Sequence, residues 1–92
     1  MESAADICVI GEVQGVGFRW FVLRRATELG IIGYVRNRPD GAVEIHAEGE
    51  KSAIESLIGS VRIGPRSARV EDVSVEWVRV TTRHTKFDIS HD

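Results

Sequence analysis

Between Ile7 and Leu29 the spacing of apolar side chains changes from two to three and four, and the change falls on Gly15-Val16-Gly17. Ile7 to Val13 is rich in β-branched residues and reads as a strand stopped by the two glycines. From Phe18 onward Phe18, Val22, Ala26 and Leu29 recur at steps of four, four and three, the pattern of an amphipathic helix, with Gly30 placed to end it. A strand that passes through glycines into a helix constrains the chain twice. The helix must return its apolar stripe to the sheet that the strand belongs to, and the glycines let successive N–H groups turn toward one point at the helix N-terminus. Arg19 adds a fixed cation at the rim, so the loop can hold an oxyanion, phosphate first among them.

The loop matches neither common phosphate signature. Gly15-Val16-Gly17 begins a dinucleotide fingerprint, but Trp20 stands where the third glycine belongs, and no Gly-Lys-Ser/Thr follows. On its own, a strand, Gly-x-Gly and an arginine is a weak pattern, and a tight structural turn is the commoner case.

Further along, Ile32 to Arg38 and Ala42 to Glu48 read as two strands joined around Pro39-Asp40-Gly41, a hairpin turn. Val43, Ile45 and Ala47 alternate with Glu44, His46 and Glu48, which predicts one buried and one wet face and makes His46 a solvated sheet residue rather than a metal ligand. A second helix is expected from about Glu50 to Arg62, with Ile54, Leu57, Ile58 and Val61 on its buried stripe and Ser52 with Glu55 as a capping box. Val73, Val75 and Trp77, then Val78 and Val80, and finally Phe87 and Ile89 read as two strands, and a change of phase between Trp77 and Val80 predicts a bulge or strand end. The order β-α-β-β-α-β predicts an α+β fold, the ferredoxin-like split βαβ sandwich: a four-stranded antiparallel sheet with two helices on one face. Residues 1–92 are expected to form one domain. Trp20 and Leu23 fall off the helix stripe and are expected to cover neighbouring loops.

Charge and cysteine content narrow the class. A formal net charge of −2 argues against a general nucleic-acid or membrane binder, so any anion site has to be local. The single cysteine, Cys8, allows no intrachain disulfide and sits in an apolar strand, where a small packed side chain is expected rather than a nucleophile. The acidic start Met1-Glu2-Ser3-Ala4-Ala5-Asp6 reads neither as a signal peptide nor as a membrane span, and a cytoplasmic location is expected. His46, His84 and His91 are scattered without ligand spacing, so neither metal nor cofactor is expected.

Two segments together resemble the acylphosphatase family: Gly11-Glu12-Val13-Gln14-Gly15-Val16-Gly17-Phe18-Arg19, and Gly33-Tyr34-Val35-Arg36-Asn37-Arg38-Pro39-Asp40-Gly41-Ala42-Val43. The family carries a Gly-x-Val-Gln-Gly-Val-x-Phe-Arg loop and, after one helix, a Gly-aromatic-Val-x-Asn strand ending in an Asp-Gly turn. The likeness continues through the second helix, Gly64-Pro65-Arg66-Ser67-Ala68-Arg69-Val70 and Phe87-Asp88-Ile89, and so covers nearly the whole chain. It is looser over the C-terminal half, where Ile89-Ser90-His91-Asp92 lacks the aromatic or basic residues that many relatives have.

The resemblance implies hydrolysis of a small acyl phosphate to a carboxylate and orthophosphate. It also implies roles: Arg19 grips the phosphoryl oxygens with the loop amides of Gln14, Gly15, Val16, Gly17 and Phe18, and Asn37 orients the attacking water. Alternation gives Asn37 the same face as Val35, and Arg19 lies in the first turn of the helix covering that face if Val35 faces the helices. Without the resemblance Asn37 reads as a turn-forming amide. Arg36, Arg38, Arg66 and Arg69 read as solvated charges more readily than as substrate steering. A monomer is expected, with the acyl phosphate and its product orthophosphate as the only partners. The alternative is a non-catalytic phosphate or carbamoyl-phosphate module, since acylphosphatase-like domains also occur inside larger carbamoyl-transfer proteins; the presence of both Arg19 and Asn37 favours the enzyme.

Overall fold

Alternating apolar residues fix the sheet and its register. In the computed structural model, which describes residues 2–81 and 83–91, the elements are β1 (Glu2–Glu12), α1 (Phe18–Glu28), β2 (Ile32–Asn37), β3 (Val43–Glu50), α2 (Lys51–Ile63), β4 (Arg69–Val78) and β5 (Phe87–Ser90). Ile7 of β1 lies opposite Ile45 of β3, which lies opposite Val35 of β2, so one face of the sheet is apolar from strand to strand. Phe18, Val22 and Ala26 from α1 and Ile54, Leu57, Ile58 and Val61 from α2 close over that face and complete one core. The predicted stripes of both helices are the ones buried.

The strand order is β4-β1-β3-β2-β5. Four strands are antiparallel to their neighbours, as expected, while the fifth, β5, joins β2 in parallel through Gly33 opposite Phe87 and Val35 opposite Ile89. The sheet therefore has five strands rather than four. The phase change near Trp77 is a strand end, because β4 stops at Val78, and the register irregularity lies instead at Ile10 and Gly11 of β1, against β4. Gly33 is a position no other residue can fill: its φ is 136°, and a Cβ built there would lie 1.9 Å from the His46 carbonyl oxygen.

Three further expectations change in the structure. With β4 and β5 at opposite edges, residues 79–81 and 83–86 lie along the face that the helices leave open. Thr81 donates to Glu48 Oε2 from its N–H at 3.0 Å and its hydroxyl at 2.8 Å, and Gly33 N–H reaches the Lys86 carbonyl at 3.1 Å. His46 and Glu48 are consequently buried rather than solvated, while Glu44 on that side of β3 stays half-exposed. Cys8 is half-buried on this open face instead of packed in the core, with an Arg38 guanidinium N–H 3.8 Å from its Sγ. The capping box is not formed: Glu50, not Ser52, precedes the first turn of α2, and no side chain caps it.

Candidate active site

The Gly-rich loop between β1 and α1 is built from the outside inward. Gly15 and Gly17 take left-handed φ angles of 74° and 78°, the turn only glycine makes at little cost. Gly17 is the N-cap of α1, and its carbonyl accepts the Phe21 N–H at 3.1 Å. The Gln14 side chain turns away from the loop interior and donates from Nε2 to the carbonyls of Arg38 at 2.8 Å and Ala42 at 2.9 Å. Ser67 Oγ donates to the Val16 carbonyl at 3.2 Å from the other side. The loop is thus tied to the β2–β3 hairpin and to the segment before β4. Among the described residues, no backbone carbonyl outside α1 accepts the N–H of Gly15, Val16, Gly17, Phe18 or Arg19, and a first helical turn has no internal acceptors for its own. The amides remain available to an anion.

A cavity of about 130 Å³ opens beside them, lined by Val13, Gly15, Gly17, Phe18, Arg19, Trp20 and Asn37. Asn37 is the last residue of β2 and lies opposite Val43, on the sheet face that the helices cover. Its Oδ1 is buried without a hydrogen-bond partner among the described residues, an arrangement that costs about 1–3 kcal/mol unless a ligand or water completes it. Arg19 is partly exposed at the rim, its Nη1 3.3 Å from His91 Nδ1, and no carboxylate among the described residues pairs with it. Five of the residues anticipated for the site therefore converge as Gly15, Gly17, Phe18, Arg19 and Asn37. Gln14 and Val16 do not line the cavity with their side chains; they hold the loop.

The loop amides, the Arg19 guanidinium and the buried Asn37 oxygen thus meet at one cavity. The family model described as Acylphosphatase matches residues 5–89. The chain belongs to the acylphosphatase family. An acylphosphatase of Salinibacter ruber is 56% identical over 76 residues, 83% of this chain and 80% of that protein. The crystal structure of acylphosphatase from Bacillus subtilis superposes with a TM-score of 0.92 at 42% identity, covering 98% of this chain and 99% of the other. Full-length HypF, solved in a phosphate- and nucleotide-bound form, is similar over a part of itself: TM-score 0.90 and 31% identity over 100% of this chain but 12% of that one.

Arg36, Arg38, Arg66 and Arg69 of this acylphosphatase-family chain do not line the cavity. Arg36 points to the opposite sheet face and pairs with Glu44 at 3.0 Å, and Arg38 pairs with Asp40 at 2.9 Å. Arg66 and Arg69 are exposed. The Arg36 hydrogen bond holds the Glu44 carboxyl below its ordinary range, while burial, with the Glu44 hydrogen bond, pushes the Tyr34 phenol up to about 12. On the same face His46 Nδ1 lies 2.6 Å from Asp6 Oδ1 and its Nε2 2.8 Å from Glu48 Oε2, so a doubly protonated ring donates to both carboxylates. Burial lowers the His46 pKa, but the bonds to Asp6 and Glu48 outweigh it and the net shift is upward. Burial likewise acts to raise Glu48, yet the donors on His46 and Thr81 hold its carboxyl down at about 2. Two members of this group, His46 and Glu48, could not be recognised as buried from β3 alone, because the residues that cover them, Thr81 and His84, come from beyond β4.

Proposed function

We propose that the Gly15–Gly17 loop, Arg19 and Asn37 carry out the hydrolysis of a small acyl phosphate. The observation that carries this reading is the single cavity shared by free loop amides, the Arg19 guanidinium and the unpartnered Asn37 Oδ1. The amides of Gln14 to Phe18 and the N-terminus of α1 accept the phosphoryl oxygens, and the planar, permanently charged fork of Arg19 holds two of them at once. Asn37 Oδ1 accepts a hydrogen bond from one water and directs its lone pair at phosphorus. The new P–O bond forms as the bond to the acyl oxygen breaks. The carboxylate leaves without needing a proton at neutral pH, and a phosphate oxygen takes the proton of the water. Positioning and charge stabilisation are sufficient, since the leaving group is good.

No metal or cofactor enters this scheme, and among the described residues no group of three His, Cys, Asp or Glu side chains is arranged to hold an ion. The proposed enzyme acts as a monomer in the cytoplasm. Among the described residues, no helix is long and apolar enough to cross a membrane. The test is release of orthophosphate from benzoyl and acetyl phosphate by purified protein with and without EDTA. Turnover is expected in both conditions. Activity lost in EDTA and restored by Mg²⁺ or Zn²⁺ would rule out the metal-free scheme. A binding role without turnover is the second reading, favoured by the likeness to HypF in its phosphate-bound form; tight phosphate binding with no release of product from either substrate would support it.

A further inference from the structure

We propose that Trp20 is the platform for the acyl part of the substrate and biases the site toward aromatic acyl phosphates. This inference rests on the reading of the Gly15–Arg19 loop as the phosphate cradle. The cavity holds about 130 Å³. With the phosphoryl group held against the loop amides, an acyl group extends from the cradle toward the rim of the cavity.

Few rim residues have apolar surface to offer it. Val13 and Phe18 are already buried in the core, Gly15 and Gly17 have no side chain, and Arg19 and Asn37 are polar. Trp20 lines the same cavity and is 66% exposed, with no place among the residues packed against the core. It is the third residue of α1, and helical side chains lean toward the N-terminus of their helix, so the indole reaches back over the cradle rather than away from it. The sequence expectation that Trp20 covers a neighbouring loop is replaced by an open ring at the mouth of the site. An indole face gains most from another flat π surface in offset or edge-on contact, and a methyl group gives it little area. A benzoyl group fits this rim better than an acetyl group.

The experiment compares kcat/KM for benzoyl and acetyl phosphate in the wild type, Trp20→Ala and Trp20→Phe, with orthophosphate inhibition measured in each. The benzoyl-to-acetyl ratio is expected to fall about tenfold in Trp20→Ala, the size of one lost aromatic contact with its buried area, and to stay within about twofold in Trp20→Phe. Orthophosphate should still inhibit all three proteins. An unchanged ratio in Trp20→Ala, or an equal loss on both substrates, overturns the role of Trp20 while leaving the cradle intact. A wild type that hydrolyses neither substrate and shows no orthophosphate binding by calorimetry overturns the cradle itself, and this inference with it.

Discussion

Asn37 and Arg19 line one cavity but should fail differently when replaced. Asn37 has a buried oxygen without a partner and no charge, so its proposed work is on the water. Asn37→Ala is expected to lower kcat by roughly 10² or more, about 3 kcal/mol, while orthophosphate inhibition persists; near-normal kcat would remove Asn37 from the reaction. Arg19→Ala should damage both phosphate binding and turnover, and Arg19→Lys should not restore them, because a point charge cannot hold two oxygens in a fork. A fully active Lys variant, in the same steady-state assay, would show that charge alone is enough. Arg19, Asn37 and the glycines could be singled out in the sequence only through the resemblance to the acylphosphatase family, since spacing alone left Asn37 as a turn amide and the loop as a tight turn. Gln14 was legible only as part of the loop. Its side-chain partners, Arg38 and Ala42, are 24 and 28 residues away, and no local pattern announces an amide that ties two loops together.

At the scale of elements, both helices and the first three strands followed from periodicity, and the misread burial of His46 and Glu48 has one cause. The alternation of β3 marks Glu44, His46 and Glu48 as facing away from the helices, which is correct, but that face is roofed at one end by the segment around Thr81 and His84. This segment has no apolar period of its own and is laid there by the position of β5 on the far edge. The Asp6, His46, Glu48 and Thr81 group fastens the roof, and its strength depends on pH. The His46 pKa is raised on folding, so its contribution is complete below about pH 6.5, the unfolded value, and is lost as pH rises through the folded value. The Glu48 pKa is lowered, so its contribution is complete above about pH 4.3 and disappears as pH falls toward about 2. Urea midpoints measured from pH 5 to pH 9 should therefore decline on the alkaline side in the wild type and decline less in His46→Gln. Parallel curves for the two proteins would show that this group does not couple to folding.

For the molecule as a whole, the cradle links binding to stability. Orthophosphate at roughly ten times its Kd should add about 1.4 kcal/mol to the native state, a rise in Tm of about 5–10 °C for a domain of this size. Chloride at matched ionic strength should do much less, since it cannot engage several converging N–H groups. Melting curves of wild type and Arg19→Ala make the comparison: equal shifts, or none in the wild type, would locate the anion elsewhere. The strand order carries one more consequence, for the growing chain on the ribosome. All seven residues that line the cavity lie between Val13 and Asn37, yet β1 and β2 do not touch; β3 separates them in the sheet. A nascent chain of forty residues therefore contains every group of the cradle and no cradle, and it acquires one only after β3 has been synthesised and inserted between its two older neighbours.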